Sequence, residues 1–267
     1  MKALILNSGL GSRMGVLTSE HHKCMTEISP RETIISRQLQ QLCDAGIREA
    51  VITTGLFSDV LKEYVESLDL PIDITFVHNP DFRTTNYIYS IYCARDLLDD
   101  DILLMHGDLV FENAALDRLL ACEASGTAVS YTLPLPEKDF KAVIRDGKVD
   151  RVGVEFFDSA VAAQALYKLN REDWRKWLDN IVAFCEAGKT NVYAENALNE
   201  LEGAANIYPV DMENLLCAEI DDAEDLKTVS KALKCVESRT VYMCFATDIL
   251  HGGHITIIRP AARLGRL

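Results

Sequence analysis

The sequence predicts an α/β fold: a mixed, mostly parallel sheet with helices on both faces. Three observations carry that reading. Short apolar runs alternate with segments of helical spacing from Lys2 to Leu133, the pattern of parallel strands joined by crossover helices. A glycine-rich stretch follows the first apolar run, where such sheets place their ligands. The composition, 48% hydrophobic and 25% charged over 267 residues, is enough for one large domain or one domain plus a fragment.

Lys2–Asn7 reads as a buried strand. Ile34–Ala45 has helical spacing, with Ile34, Ile35, Leu39 and Leu42 on one face and Gly46 as its stop. Strands are expected at Ala50–Thr53, Ile72–Val77, Asp101–Met105 and Ala128–Leu133, and helices at Asp59–Leu68, Ile88–Leu98 and Ala114–Cys122. The pattern changes after Pro134 and Pro136. Lys141–Val152 contains Asp146-Gly147, a hairpin turn signal. Ala163–Leu169 reads as a strand, Glu172–Glu186 as a helix, and Asn206–Val210 and Leu215–Ile220 as short strands. Asp222–Val236 is a helix with an acidic first turn.

The net charge of −14 argues against a nucleic-acid partner, which wants clustered Lys and Arg, and no basic run occurs. The first apolar run is too short for a signal peptide, and no stretch reaches the roughly 18 apolar residues of a membrane span. The eight cysteines are scattered without a C-x-x-C pair and read as reduced thiols. A cytoplasmic location without membrane partners is the expectation.

Leu6-Asn7-Ser8-Gly9-Leu10-Gly11-Ser12-Arg13-Met14-Gly15 carries the strongest local signal. Glycines let the backbone aim N–H groups at phosphate oxygens, and Arg13 adds a planar, permanently charged donor. No Gly-Lys-Ser/Thr closes the loop, so it is not a Walker A loop. Met14 stands where a dinucleotide loop needs glycine. A plain strand-to-helix turn is the other reading. Lys23 follows shortly as a second cation for a triphosphate, or as a surface charge. Asp108 ends the fourth expected strand after Gly107, a place suited to a Mg²⁺ ligand or to a helix N-cap. Asp221, before the last acidic helix, has the same two readings.

Taken together, Gly9-Leu10-Gly11-Ser12-Arg13-Met14, Leu17-Thr18 and Lys23 resemble the fingerprint of the sugar-phosphate and phosphocholine nucleotidyltransferases: G-x-G-x-R, then L-T, then P-K. His22 stands in place of the family's proline, and Asn7-Ser8 in place of its usual Ala-Ala or Ala-Gly. Gly107-Asp108 is similar to the first metal aspartate of that family. Glu219-Ile220-Asp221 with Glu224-Asp225-Leu226 is similar to the element that supplies the second. The resemblance covers roughly residues 1–236 and implies a Rossmann-like sheet of the nucleotide-diphospho-sugar transferase type. It implies Mg²⁺ on Asp108 and Asp221, catalytic roles for Arg13 and Lys23, and a nucleotide held by Leu6, Asn7, Ser8, Gly9, Gly11, Ser12, Arg13, Lys23, Asn79, Thr85 and Asn86.

A finer resemblance points to transferases acting on phosphocholine or aminoalkylphosphonates. Asn79-Pro80 with Thr84-Thr85-Asn86-Tyr87-Ile88-Tyr89-Ser90 is similar to their N-x-x-Y-x-x-x-N-N-x-Y-S segment, and Tyr193–Glu200 to their substrate-side helix. This implies acceptor contacts from Asn86, Tyr89, Tyr193, Glu195 and Asn196, and CTP as donor. The favoured acceptor is 2-aminoethylphosphonate. The alternatives are phosphocholine, a sugar 1-phosphate with another nucleotide, and a non-catalytic nucleotide-sensing module. Val241–Thr247 and His251-Gly252-Gly253-His254, with a helix to Leu264, resemble the start of an H-x-G-H cytidylyltransferase module as found in phosphoenolpyruvate mutase fusion proteins. The expected division is therefore a nucleotidyltransferase domain, 1–237, and a linker with the start of a truncated second domain, 238–267. No catalysis is expected from the two histidines.

Overall fold

The computed structural model describes residues 1–9, 11–201, 206–244 and 251–262. Leu10 of the glycine loop, Phe245–Thr247 of the tail and the last two residues of the helix expected up to Leu264 lie outside them.

The first half builds the parallel core. β1 (Lys2–Asn7) is buried along almost its whole length. Two short 3₁₀ runs, Ser12–Thr18 and Lys23–Met25, lead to a ribbon of β2 (Glu27–Ser29) and β3 (Glu32–Thr33). α1 (Ile34–Asp44) starts on a capping box made by Thr33 and Ser36. Then come β4 (Glu49–Thr54), α2 (Ser58–Ser67), β5 (Asp73–His78), α3 (Tyr87–Ala94), β6 (Ile102–His106), β7 (Leu109–Phe111), α4 (Asn113–Leu120) and β8 (Ser125–Ser130).

The second half adds a hairpin of β9 (Lys141–Arg145) and β10 (Lys148–Gly153), turning on Asp146 and Gly147, both at positive φ (51° and 75°). β11 (Ala160–Leu169), α5 (Arg171–Glu186), α6 (Ala194–Asn199), β12 (Ile207–Asp211), β13 (Cys217–Glu219), α7 (Ala223–Glu237) and α8 (Gly252–Ala262) complete the described chain. No helix among the described residues is long and apolar enough to cross a membrane.

The main sheet runs β10-β9-β11-β6-β1-β4-β5, with β8 also paired to β11 and β12 paired to β8. It is parallel through β6-β1-β4-β5 and antiparallel around β11. Alternate residues of β1 feed opposite faces. Leu4 and Leu6 join α3 and α5, with Trp174 and Trp177. Ala3 and Ile5 join α1, α2 and α4. A third cluster of Met14, Ile28, Ile34, Val110, Ile220, Val229 and Leu233 fastens the glycine loop and α7 to the body.

Two expected elements shift. The helix expected at Ile88–Leu98 ends at Ala94 and tightens into a 3₁₀ turn over Arg95–Leu97. The strand expected at Ala128–Leu133 lies earlier, at Ser125–Ser130. Ser125, Gly126 and Thr127 carry no apolar signal, but they are buried between β11 and β12, and Ser125 Oγ donates to Asp173 (2.6 Å).

Candidate active site

The carboxyl ends of β1 and β6 meet because these strands are parallel neighbours. Gly107, directly after β6, donates its N–H to Leu6 O (3.0 Å). A Cβ at Gly107 would come within 1.6 Å of Asn7 Oδ1, so no other residue fits there without moving Asn7. Gly107→Ala is expected to destabilise the fold by about 1–3 kcal/mol, the usual cost of overpacking; urea denaturation checks it, and wild-type stability would mean that Asn7 relocates freely. Gly11 takes φ +61°, which favours glycine. It starts the 3₁₀ run that buries Met14, which is why the run has no glycine there.

β13 pairs with β7, and Ile220 N donates to Asp108 O (3.0 Å). This two-stranded ribbon brings Asp221 beside Asp108 across more than a hundred residues of sequence. Gln38 Nε2 fixes the turn before β7 by donating to His106 O and Leu109 O (both 2.8 Å). Gly11, Arg13, His22, Lys23, Asp108 and Asp221 line one cavity of about 270 Å³.

Inside it, charges are paired. Lys23 Nζ donates to Asp108 Oδ2 (2.6 Å) and to Asp221 Oδ1 (2.7 Å), and Arg13 Nη1 lies 2.7 Å from Asp221 Oδ2. Burial works against the Lys23 charge, but Asp108 and Asp221 outweigh it and raise its pKa. Burial likewise opposes the Asp108 carboxylate, and Lys23 and His106 override it, leaving its pKa below the usual value. His106 Nδ1 lies 3.1 Å from Glu219 Oε1. Burial would lower the His106 pKa, but the Glu219 bond and the nearby carboxylates raise it to about 9. Burial and Asp108 raise the Glu219 pKa despite His106. His22 is driven down to about 4, chiefly by burial, so it is neutral at pH 7.

A second cavity of about 310 Å³ shares Leu6, Gly9 and Asp108 with the first, and its far wall includes Ser8, Arg83, Thr85, Asn86, Tyr87 and His106. The expected residues Leu6, Asn7, Ser8, Gly9, Gly11, Arg13, Lys23, Thr85, Asn86, Asp108 and Asp221 therefore converge on one cleft. Ser12 is placed by its backbone in the 3₁₀ run beside them. The Tyr193 ring flanks the cleft, 5.9 Å from Tyr87 and 5.2 Å from Phe140.

Four expected contact residues need correction, because their side chains are spent on structure. Asn79 is buried and donates to Thr85 Oγ1 (3.1 Å) and Ser90 Oγ (2.9 Å), one layer behind the cleft. Tyr89 stacks on Tyr92 (5.6 Å) instead of lining either cavity. Asn196 accepts from Tyr193 N (3.0 Å) as a helix cap. Glu195 is 1% exposed, and both its oxygens are engaged: Tyr167 donates at 3.1 Å and Tyr87 to the other oxygen. A ligand's ammonium reaches Glu195 only if Tyr87 moves. Glu195→Ala is expected to cost about 2–4 kcal/mol of stability, since buried Tyr167 and half-buried Tyr87 both lose their acceptor; denaturation midpoints read this, and a change within error would contradict the packing.

Residue spacing missed His106, Tyr87, Arg83 and Asp139. His106 and Glu219 were signalled by their motif neighbours: Glu219 and Asp221, two apart at the end of a strand, share a face. Asp139 carries no sequence signal. Among the described residues, His106, Asp108 and Glu219 form one group able to hold a metal ion, and Asp139, Glu219 and Asp221 another, with ligand atoms within 4.8 Å of one another. Asp108 Oδ1 is buried without a hydrogen-bond partner. A mostly carboxylate donor set with one unsatisfied oxygen fits Mg²⁺.

Residues 3–145 match the protein family described as MobA-like NTP transferase domain. The chain is 32% identical over 236 residues to CMP-5'-(3-aminopropyl)phosphonate synthase of Streptomyces rubellomurinus, covering 84% of this chain but only 37% of that protein. It is 22% identical over 242 residues to choline-phosphate cytidylyltransferase of Streptococcus pneumoniae, covering 88% and 99%. The fold is similar to the solved structure of CTP:phosphocholine cytidylyltransferase from that organism, with a TM-score of 0.70 at 19% identity over 87% of this chain and 98% of the other.

Proposed function

The chain belongs to the MobA-like NTP transferase domain family, and from that premise we propose that it is a CTP-dependent cytidylyltransferase, moving CMP onto a small phosphonate or phosphate with release of pyrophosphate. One observation carries the reading: Arg13, Lys23, Asp108 and Asp221 converge in a single cleft, two cations paired with two carboxylates. A site for a cation-bound triphosphate needs both signs of charge, and simple burial of charge would not be favourable without a partner to exchange.

In this reading the acceptor's anionic oxygen attacks the α-phosphorus of CTP. The new P–O bond forms as the bond to the bridging oxygen breaks, and pyrophosphate carries away the electron pair. No general base is required, because the nucleophile is already ionised. Arg13 and Lys23 leave their carboxylates for the β- and γ-phosphate oxygens and offset charge on the departing group. Asp108 and Asp221, with Glu219 and Asp139 near, would hold Mg²⁺, which supplies neutralisation of developing phosphate charge. The glycine loop orients the nucleotide, and catalysis is positioning plus electrostatics.

The favoured acceptor is an aminoalkylphosphonate, 2-aminoethylphosphonate first. Its support is the Asn86-Tyr87-Ile88-Tyr89-Ser90 segment and an aromatic flank of Tyr87, Phe140 and Tyr193 able to face an ammonium. With Glu195 held by two phenols, the aromatic faces and the surrounding negative field attract the amine, rather than a bare carboxylate. The working domain runs over 1–237; Arg239, just beyond it, still reaches back to buried Glu112 (2.5 Å). The test is pyrophosphate release with CTP, UTP, GTP or dTTP against 2-aminoethylphosphonate, phosphocholine, hydroxymethylphosphonate and sugar 1-phosphates. Highest kcat/KM with CTP and an amine-bearing acceptor is expected. A preference for a sugar 1-phosphate overturns the acceptor, and release with no acceptor in the panel or with none of the nucleotides overturns the reading.

A further inference from the structure

Lys141 opens β9 with its side chain fully buried. Its ammonium is met by main-chain oxygens and a ring. Nζ donates to Val154 O (2.7 Å) and Asp139 O (3.0 Å) and lies 3.4 Å from Glu137 O, and the Phe157 ring covers it at 4.2 Å. The three N–H bonds of an ammonium thus face three carbonyls. A charge taken out of water in this way is costly unless its contacts serve a purpose that an apolar side chain could not. Two of the carbonyls belong to the strap joining β8 to β9, and the third follows β10, so the cation ties the strap to the hairpin.

That strap also carries two side chains that pack against residues of the cleft. The Asp139 carboxylate lies within 4.8 Å of ligand atoms of Glu219 and Asp221. The Phe140 ring packs edge-on against His106 (6.2 Å) and Tyr193 (5.2 Å). Both residues immediately precede the clamp in sequence.

We propose that Lys141 is a positioning residue for the transfer reaction: by gathering the Glu137, Asp139 and Val154 carbonyls, it sets the Asp139 carboxylate beside Glu219 and Asp221 and the Phe140 ring against His106. This rests on the transfer reading above for its consequence, while the clamp itself does not. Lys141→Met keeps the stem and removes the donors; Lys141→Gln keeps two N–H bonds. Lys141→Met should lower kcat about tenfold or more while KM for CTP stays within about twofold, because misplacement costs rate before it costs nucleotide binding. Lys141→Gln should recover part of the loss. The double variant Lys141→Met/Asp139→Asn should be no slower than the slower single variant, since both losses pass through one carboxylate. Amide hydrogen exchange at residues 137–141 should quicken in Lys141→Met, with β1 and β6 unchanged. Losses that multiply in the double variant, or an unchanged kcat in Lys141→Met, overturn the proposal. Should Lys141→Met fail to fold, Lys141→Gln carries the same cycle. Absence of transfer by the wild-type protein would sink the transfer reading, and hydrogen exchange then decides the clamp alone: unchanged protection at 137–141 overturns it.

Discussion

Asp108→Asn and Asp221→Asn are each expected to lower kcat by about 10²–10⁴-fold at saturating Mg²⁺, with far-UV circular dichroism unchanged. Removing one carboxylate from the cation site forfeits several kcal/mol of transition-state stabilisation, and each 1.36 kcal/mol is a factor of about ten. Asp108 should be the more sensitive of the two. It is held by Lys23 on one oxygen, while the other is buried and unpaired, free for a ligand atom. Its charge is also one of those holding His106 protonated to about pH 9. Asp108→Asn should therefore lower the His106 pKa as read by NMR. The sign follows from linkage: a raised folded-state pKa stabilises below the unfolded value near 6.5, and that contribution is lost as pH rises through about 9. Near-normal turnover in either variant would remove that residue from the metal site.

Lys23→Ala is expected to cut kcat/KM for CTP by about 10–100-fold while leaving KM for the acceptor nearly unchanged. Loss of a charge-assisted phosphate contact is worth about 1.5–3 kcal/mol, and the Lys23 side chain is only 10% exposed, which keeps the loss near the upper end. Arg13→Ala should show the same selectivity with a smaller loss, because its side chain is 61% exposed and screened by solvent. Steady-state kinetics with each substrate varied in turn is the measurement. An effect confined to the acceptor's KM would place these cations on the wrong side of the cleft. A second consequence is separable from turnover. In the free protein Lys23 occupies both carboxylates, so Lys23→Ala should bind Mn²⁺ more tightly than the wild type in the absence of nucleotide.

The chain order of motifs was legible because each one sits at the end of a strand. Asn7–Gly9, Gly107-Asp108 and Glu219–Asp221 lie at the carboxyl ends of β1, β6 and β13, and parallel pairing of β1 with β6 obliges the first two to meet. The third meets them only through the β7–β13 ribbon, whose short strands of three residues are too brief to declare a partner. Strand ends were legible less well where burial is achieved by small polar residues, as in Ser125-Gly126-Thr127.

The wall expected to contact an acceptor was the least legible. Glu195 reads in sequence as an exposed acid near the start of a short helix, and Asn79, Tyr89 and Asn196 read as ligands because their motif neighbours are. What each side chain faces depends on packing across the sheet. Tyr87 from α3 and Tyr167 from β11 reach Glu195 from positions 108 and 28 residues away. Asp139 reaches Glu219 and Asp221 from the strap between β8 and β9, a proximity that sequence spacing does not announce.

The sequence by itself determined the α/β class, the glycine loop with its two cations, and the paired aspartates, since these depend on local periodicity and on residue types that chemistry restricts. The tertiary structure alone decided which acids are free and which are already satisfied. Hydrogen-bond capacity is shared among residues far apart in the chain: a carboxylate that accepts two phenols is a piece of the core, and one left with an empty oxygen beside a lysine still has capacity for a ligand atom.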